Sequence, residues 1–433
     1  MFYGPRCRIY AALAFSAVAG WASQPVSSNA ESFGFSIERL GWLHQAIQRE
    51  VDEQRLAGVT TLLLRHGHVV EQRSYGVKDI ASGAPMTNDT IFRIYSMTKP
   101  VTGVAMMILY EEGKWRPSDP ISKFIPEFAG LKVFKGTGPN GEILTEAPQH
   151  APTMAELMTH TAGFTYGLFG TTPVDKLYMK ANWLGATSLQ DLVHRLAGIP
   201  LLYQPGTKWV YSVSMDIQGY IIEKISGQSL PDFMEERIFK PLRMNDTAFF
   251  VPKDKRNRFA TLYREEAQGK LVAVGEAAGP KADYVSQPGA PSGGGGLVST
   301  ANDYARFAQM LLNHGELDGV RILSPPTVDL MTTNHLPPRL LTGEFGLPGI
   351  VMMQPGHGWA YDMAVFTDPA AVNDVVGKGT YYWAGAADTW FWVDPANDLI
   401  FVGMTQRLLG PHWPDVQGLT RPIVYGALVD PKR

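Results

Sequence analysis

The chain has 433 residues, of which 45% are hydrophobic and 18% charged, and its formal net charge is −3. These values are ordinary for a globular protein of one large domain or two lobes, and they exclude a disordered chain. A net negative charge argues against nucleic acid as the main partner. Cys7 is the only cysteine, so the sequence excludes a disulfide framework and a cluster of thiolate metal ligands.

The N-terminus has the pattern of an export signal. Two arginines within the first eight residues precede the apolar run 9–18, and small residues follow it. The run is too short to span a membrane comfortably. We therefore expect residues 1–30 to be a signal peptide cleaved after Ala22 or Ala30, and the mature protein to be secreted or periplasmic without a stable membrane span. The alternative is a cytosolic chain with an apolar start.

The first elements predicted after this segment are a helix and a hairpin. Ser36 can cap a helix over residues 37–54, in which apolar residues recur on one face. Residues 59–64 and the segment that begins at Val69 flank a short polar stretch around Gly67, which predicts a β-hairpin.

The next element carries the most informative pair, Ser96 and Lys99, at the start of a predicted helix that ends near Gly113. Residues three positions apart share a helix face, so the hydroxyl and the amine can meet. A serine hydroxyl is a weak nucleophile until a base takes its proton, and a lysine whose pKa is lowered in a water-poor pocket can be that base. An amide at the helix N-terminus could bind an oxyanion.

By itself the Ser-x-x-Lys motif is weak evidence, because short motifs recur by chance. A surface serine that caps a helix, followed by a solvated lysine one turn later, has the same pattern. The rest of the chain decides between the two interpretations.

From about residue 117 to residue 288 helical patterns alternate with loops rich in proline and glycine. The predicted helices cover residues 154–160, 189–196, 214–225 and 230–239. Tyr211 directly precedes the third helix, where a phenol can reach into a cleft and, near a lysine that stabilises its phenolate form, shuttle protons. Since the chain has 17 tyrosines, an ordinary core or surface aromatic is the alternative.

The C-terminal part is predicted to consist mostly of strands. A glycine run at residues 293–296, either a flexible connector or a close backbone approach, leads to a helix that Thr300 opens and that ends near Gly315. The strands of a meander and a closing helix follow at residues 380–383, 389–393, 399–404 and 415–429.

The first strand of this meander ends in Trp383-Ala384-Gly385-Ala386. Gly385 allows a close approach of the backbone, and the amide of Ala386 could be a second oxyanion donor. The alternative is a plain turn at the end of a strand.

Together these elements predict an α+β fold. We expect an antiparallel sheet flanked by helices, built from both chain ends over about residues 31–95 and 290–433, and a mainly helical lobe over about residues 96–289. A functional site would lie in the cleft between the two lobes.

The order of these motifs resembles that of the serine β-lactamase and penicillin-binding-protein superfamily. The closest likeness is to the family VIII carboxylesterases, which share the class C β-lactamase fold. The resemblance covers about residue 35 to the C-terminus. Its segments are 91–99, 158–164, 205–206 followed by Tyr211-Ser212, 293–300 and 390–395.

The resemblance implies roles for particular residues. Ser96 matches the acylated nucleophile of the family, and Lys99 matches its general base. Tyr211 matches the tyrosine that relays protons to and from the leaving group. Trp383 and Gly385 match the Trp-x-Gly motif of the family.

Two further residues take roles from the same likeness. The backbone amides of Ser96 and Ala386 correspond to the oxyanion hole. Asp216 fits a Tyr-Ser-x-x-x-Asp pattern, and we expect it to support the structure rather than the chemistry.

Two departures from β-lactamases bear on the substrate. Val213 stands where those enzymes carry an asparagine, and Trp383 stands where they carry lysine or histidine. The second change removes a cation suited to the carboxylate of a β-lactam. The usual Gly-x-Ser-x-Gly elbow of α/β-hydrolases is absent from the sequence, which argues against that other esterase fold.

We therefore expect a serine carboxylesterase that hydrolyses short-chain or aryl esters through an acyl-Ser96 intermediate, with no metal or cofactor. The alternatives are a β-lactamase or D-amino-acid peptidase on the same scaffold, and a sensor domain that is acylated without turnover. The oligomeric state stays open.

Aromatic side chains near these motifs are candidates for an apolar substrate pocket, with core packing as the alternative. They are Phe164, Tyr166, Trp209, Tyr381 and Tyr382.

Overall fold

The computed structural model describes residues 30–266, 269–275, 283–342, 346–347, 350–351, 353–410 and 412–432. The predicted signal peptide, residues 1–30, lies outside the described residues except for Ala30. In the part of the chain that is described, no helix has the length and apolar character that crossing a bilayer requires.

The strands, in chain order, are β1 (Gly58–Arg65), β2 (His68–Asp79), β3 (Ala84–Pro85), β4 (Phe92–Arg93), β5 (Val133–Thr137), β6 (Ile143–Glu146), β7 (Tyr263–Glu265), β8 (Leu271–Ala273), β9 (Val298–Ser299), β10 (Glu316–Leu317), β11 (Val320–Arg321), β12 (Gly346–Leu347), β13 (Ile350–Val351), β14 (His357–Trp359), β15 (Ala364–Phe366), β16 (Tyr381–Ala384), β17 (Trp390–Asp394) and β18 (Leu399–Met404).

The helices are α1 (Ile37–Asp52), α2 (Thr98–Glu111), α3 (Met154–Met158), α4 (Pro173–Ala181), α5 (Leu189–Leu196), α6 (Ser214–Ser226), α7 (Leu230–Met234), α8 (Ala301–Leu312), α9 (Pro325–Thr332) and α10 (Val416–Ala427).

The main sheet joins the two ends of the chain. Its eight strands lie in the order β14-β15-β16-β17-β18-β1-β2-β3, and every neighbouring pair is antiparallel. The N-terminal hairpin meets the C-terminal meander where Thr60 of β1 faces Met404 of β18. The hairpin turns at His66-Gly67, where both φ angles are positive at 52° and 74°, as a tight two-residue turn requires.

Helices cover both faces of this sheet. On one face α1 and α10 pack against each other over a core that includes Leu40, Trp392 and Phe401. On the other face α8 packs against β1 and β18, and beyond it α2 packs against α6 in the helical region. The predicted α+β fold, with an antiparallel sheet built from both chain ends, is confirmed.

Some elements differ from the sequence prediction. The segment predicted as one helix over 230–239 is α7 followed by a wider helical turn, Glu235–Phe239. The region predicted to be helical also contains the hairpins β5–β6 and β7–β8, and the main sheet continues into β14 and β15. These strands have three to five residues, too few for an alternating pattern to stand out.

The position of Ala30 bears on the two predicted cleavage sites. Ala30 is fully buried and belongs to the same core as Phe35 and Leu40, and its carbonyl accepts a hydrogen bond of 3.1 Å from the amide of Phe35. Cleavage after Ala30 would remove this contact, whereas cleavage after Ala22 would keep it.

We propose that the chain is exported and cleaved after Ala22. N-terminal sequencing of the protein purified from an exporting host is expected to begin at Ser23. A mature protein that begins at Glu31 would contradict the cleavage site, and an intact Met1 in a cytosolic fraction would contradict export.

Candidate active site

Ser96 lies at a sharp turn between strand and helix. The sequence placed it at the start of a helix, but it occupies a short 3-10 turn, Tyr95–Met97, and α2 begins only at Thr98. The turn follows β4, which pairs with β9 so that Phe92 faces Ser299. This pairing brings the segment that precedes β9 beside the turn that carries Ser96.

Lys99 lies in the first turn of α2 and is completely buried. Its Nζ is 3.0 Å from Ser96 Oγ and 2.6 Å from the carbonyl oxygen of Gly294. Burial lowers the pKa of Lys99 to about 7, although the negative charges of Asp216 and Asp362 act in the opposite direction. A large fraction of this amine is therefore neutral near pH 7 and able to accept a proton.

The buried hydroxyl of Tyr211 completes a chain of polar groups with Ser96 and Lys99. It is hydrogen-bonded to the side chain of Ser96, and it accepts a hydrogen bond of 3.2 Å from Nε1 of Trp383. The Nζ of Lys99 lies 4.5 Å from the centre of the Tyr211 ring.

The expectation that a nearby lysine stabilises the phenolate of Tyr211 is not what the structure shows. Burial raises the pKa of Tyr211 well above its ordinary value, although the hydrogen bonds from Ser96 and Trp383 lower it. The phenol is therefore protonated at neutral pH, so it can donate a proton while Lys99 receives one.

The turn after β16 approaches Ser96 closely because residue 385 is a glycine. The amide of Gly385 donates to the carbonyl of Thr389 over 2.6 Å. A Cβ atom on Gly385 would lie 2.4 Å from the carbonyl oxygen of Ile94, two residues before Ser96. This approach sets Ala386 beside Ser96, and both residues line the same two cavities.

The glycine run, residues 293–296, lies in close contact with α6. This agrees with the second of the two interpretations of the sequence, a close backbone approach. A Cβ on Gly293 would lie 2.3 Å from the carbonyl oxygen of Met215. The carboxylate of Asp216 accepts hydrogen bonds from the hydroxyl of Ser292 and, over 3.4 Å, from the amide of Gly294. Asp216 therefore holds the segment whose Gly294 carbonyl binds Lys99.

Two cavities meet at Ser96. The larger one, of about 480 Å³, runs along β16 toward the start of α10, and we call it the sheet-side cavity. The other, of about 350 Å³, runs toward the helical region, and we call it the lobe-side cavity. The residues that line both are Ser96, Phe169, Tyr211 and Ala386. A substrate bound at Ser96 can therefore extend in two directions.

The structure separates the aromatic residues predicted to line a pocket. Tyr166 lines the lobe-side cavity and Tyr382 lines the sheet-side cavity. Trp209 lines a third cavity, of about 330 Å³, that also contacts Tyr211.

Two of them follow the alternative interpretation, core packing. Phe164 and Tyr381 are 2% exposed and belong to the main core, with Phe164 against Phe128 at a ring distance of 5.6 Å. The packing of helices and strands against one another decides whether an aromatic side chain faces the core or a cavity. The local sequence does not determine this packing.

Sequence reasoning gave no role to two buried titratable residues near the site. His160 Nδ1 accepts a 3.2 Å hydrogen bond from the amide of Ser212, and burial lowers the pKa of His160 well below its ordinary value. Asp362 accepts from Nε2 of Gln218 over 3.0 Å, and burial raises its pKa. His160 lies within residues 158–164, one of the segments that carry the family resemblance, and this could have identified it as a site residue. Nothing in the sequence around Asp362 indicates a role for it.

Among the described residues, no group of three or more His, Cys, Asp or Glu side chains is arranged to hold a metal ion. The groups assembled around Ser96 are a buried amine, a buried phenol and two backbone turns. These groups can activate a hydroxyl, stabilise an oxyanion and protonate a leaving group.

Comparison with known proteins supports a family relationship along most of the chain. The family model described as Beta-lactamase matches residues 43–418. Protein Rv1367c of Mycobacterium tuberculosis is 37% identical over 386 residues, which cover 86% of this chain and 90% of that protein. Esterase EstB of Burkholderia gladioli is 29% identical over 382 residues, which cover 84% of this chain and 89% of EstB.

A solved structure has the same fold. Simvastatin synthase (LovD) from Aspergillus terreus superimposes with a TM-score of 0.77 at 21% sequence identity, covering 91% of this chain and 98% of LovD.

Proposed function

The chain belongs to the β-lactamase family, and on that premise we propose that it is a serine carboxylesterase acting on small neutral esters, short-chain or aryl, through an acyl-Ser96 intermediate. The observation that carries this proposal is the buried amine of Lys99, with a pKa of about 7, placed 3.0 Å from Ser96 Oγ. The name of the relative EstB, an esterase, supports hydrolysis of esters.

In the acylation step, neutral Lys99 takes the proton of Ser96 as Oγ attacks the ester carbonyl. The amides of Ser96 and Ala386 hold the negative charge that develops on the carbonyl oxygen. When the tetrahedral intermediate collapses, Tyr211 donates its proton to the leaving alcohol and regains one from the protonated Lys99, whose Nζ lies 4.5 Å from the centre of the Tyr211 ring. The alcohol leaves neutral, and Ser96 carries the acyl group.

In the deacylation step, water attacks the acyl carbonyl and gives its proton to Lys99 through the hydroxyl of Tyr211. The same two amides hold the second oxyanion. Ser96 Oγ leaves with the returned proton, which releases the carboxylic acid and restores the starting state.

The charges around the two cavities favour neutral substrates. Among the residues described for the wall of the sheet-side cavity, the only Lys or Arg is Arg421, whose guanidinium is paired with Asp374. The lobe-side cavity has neither Lys nor Arg among its described lining residues, and it contains Asp216 and Asp283. The indole N–H of Trp383 is already donated to Tyr211. An anionic group bound in either of these two cavities would therefore lack a partner for its charge.

A comparison of esters with β-lactams on one preparation tests this proposal. A desolvated carboxylate without a partner costs several kcal/mol, so we expect kcat/KM for a 4-nitrophenyl short-chain ester to exceed that for a penicillin or nitrocefin by roughly 100-fold or more. Equal or better values for the β-lactams would overturn the esterase proposal. A burst of one product equivalent without steady-state turnover would instead identify an acylated sensor domain.

A further inference from the structure

A buried carboxyl lines the sheet-side cavity, and the mechanism proposed above does not use it. Asp388 lies in the turn between β16 and β17, two residues after Ala386, and is 4% exposed. Its Oδ2 has no hydrogen-bond partner among the described residues. Burial raises the pKa of Asp388 to about 8.

The backbone at Asp388 is also costly. Its φ angle is +65°, a left-handed conformation that glycine adopts freely and that an L-residue adopts at a cost. The turn is held firmly, because the amide of Asp388 donates to the carbonyl of Gly385 over 2.9 Å and the carbonyl of Ala386 accepts from Leu409 over 3.2 Å. The fold would therefore accept a glycine here with less strain than it accepts the aspartate.

The neighbours of Asp388 compensate only in part for its burial. The cation that acts on it, Arg407, is itself paired with Glu265 over 2.6 Å. The indole N–H of Trp413 is a weak hydrogen-bond donor to the carboxyl and lowers its pKa, whereas the negative charges of Asp415 and Glu50 raise it further. Gln417, on the same cavity wall, also has a buried side-chain nitrogen, Nε2, without a partner among the described residues. Buried polar groups without partners are rare, and they call for an explanation.

We propose that Asp388 is a specificity-determining residue whose carboxyl hydrogen-bonds a neutral hydroxyl group on the part of the ester that occupies the sheet-side cavity. The inference rests on the proposed function, because it names the class of ester that the same site prefers. A neutral carboxyl donates one hydrogen bond and accepts another, and a hydroxyl group does the same. A plain alkyl chain in this cavity leaves Oδ2 of the carboxyl without a partner, and an anionic group meets an acidic wall.

Two matched pairs of esters test the proposal. One pair places the hydroxyl on the acyl side, as 4-nitrophenyl hexanoate and 4-nitrophenyl 6-hydroxyhexanoate. The other places it on the alcohol side, as hexyl acetate and 6-hydroxyhexyl acetate. Because one neutral hydrogen bond contributes about 1 kcal/mol, we expect the wild type to prefer the hydroxylated ester of at least one pair by about fivefold to tenfold in kcat/KM.

The variant Asp388→Gly is expected to abolish this preference. Glycine suits a φ of +65° and removes the buried carboxyl, so its Tm should equal or exceed that of the wild type, and a change in preference then reports lost recognition rather than unfolding. The matched control is Asp398→Gly, which replaces another left-handed aspartate, with φ +48°, on the exposed turn between β17 and β18. This control is expected to keep the wild-type preference.

The outcomes separate the two proposals. A wild type that hydrolyses the plain esters without preferring either hydroxylated ester, or a preference that survives in Asp388→Gly, would overturn the inference alone. A wild type that hydrolyses none of the four esters would overturn the esterase proposal and this inference with it.

Discussion

Replacing Ser96 by alanine is expected to lower kcat/KM for a 4-nitrophenyl ester by about 10⁴-fold or more, because the nucleophile of a covalent mechanism acts as a unit with its base. The side chain of Ser96 is only part-buried at the junction of two cavities, so its loss leaves the core intact. We expect the Tm to change little. Steady-state kinetics and thermal unfolding on the same preparation measure both effects.

The matched control is Ser229→Ala. Ser229 is the exposed N-cap of α7, where its hydroxyl accepts from the amide of Asp232 over 3.2 Å. Losing this cap costs about 1 kcal/mol of stability, but the ester activity is expected to stay at the wild-type level. A folded Ser96→Ala protein with near wild-type activity would rule out the acyl-Ser96 mechanism.

Replacing Lys99 by methionine is expected to lower kcat/KM by about 10²–10⁴-fold, the usual contribution of a general base. The wild type should itself lose activity as the pH falls below about 7, because its amine, with a pKa of about 7, becomes protonated. The exposed lysine at residue 114, as Lys114→Met, is the control and should keep wild-type activity. Activity of the wild type that is constant from pH 5 to pH 8 would contradict this role.

The same variant has an effect on stability that depends on pH. Lys99 has a folded-state pKa of about 7 against an ordinary value of 10.5, so the folded protein disfavours the charged amine. This penalty is complete below pH 7, decreases as the pH rises through the window from 7 to 10.5, and is absent above it.

Methionine at residue 99 removes the penalty at every pH. The difference in Tm between Lys99→Met and the wild type should therefore be more positive at pH 6 than at pH 10, whatever the loss of the hydrogen bond to Gly294 costs. Thermal unfolding of both proteins at the two pH values measures this difference. A difference in Tm that is equal at the two pH values, or more negative at pH 6, would show that burial of the charged Lys99 amine does not destabilise the folded protein.

Several parts of this protein followed from the sequence because they depend on neighbouring residues. The three-residue spacing of Ser96 and Lys99 is enough to bring their side chains within 3.0 Å across one turn. Helix α5 runs from Leu189 to Leu196 as predicted, since Ser188 caps it through the amide of Asp191. Apolar runs bounded by turns correctly predicted the strands β1 and β18.

What the sequence left open depends on residues that are distant along the chain. The pKa of Lys99 is set by burial, and the carbonyl that holds its amine belongs to Gly294. Tyr211 receives its hydrogen bond from Trp383, 172 residues away.

The cavity walls depend on the same kind of contact. Phe164 packs against Phe128 in the core, whereas Tyr166, two residues later, lines a cavity. Asp388 shows most clearly what could not be predicted from the sequence. Its sequence neighbours predict a turn, and only the tertiary structure buries its carboxyl in the wall of the cavity beside Ser96, because the chain that follows β18 bonds to this turn through the amides of Arg407 and Leu409.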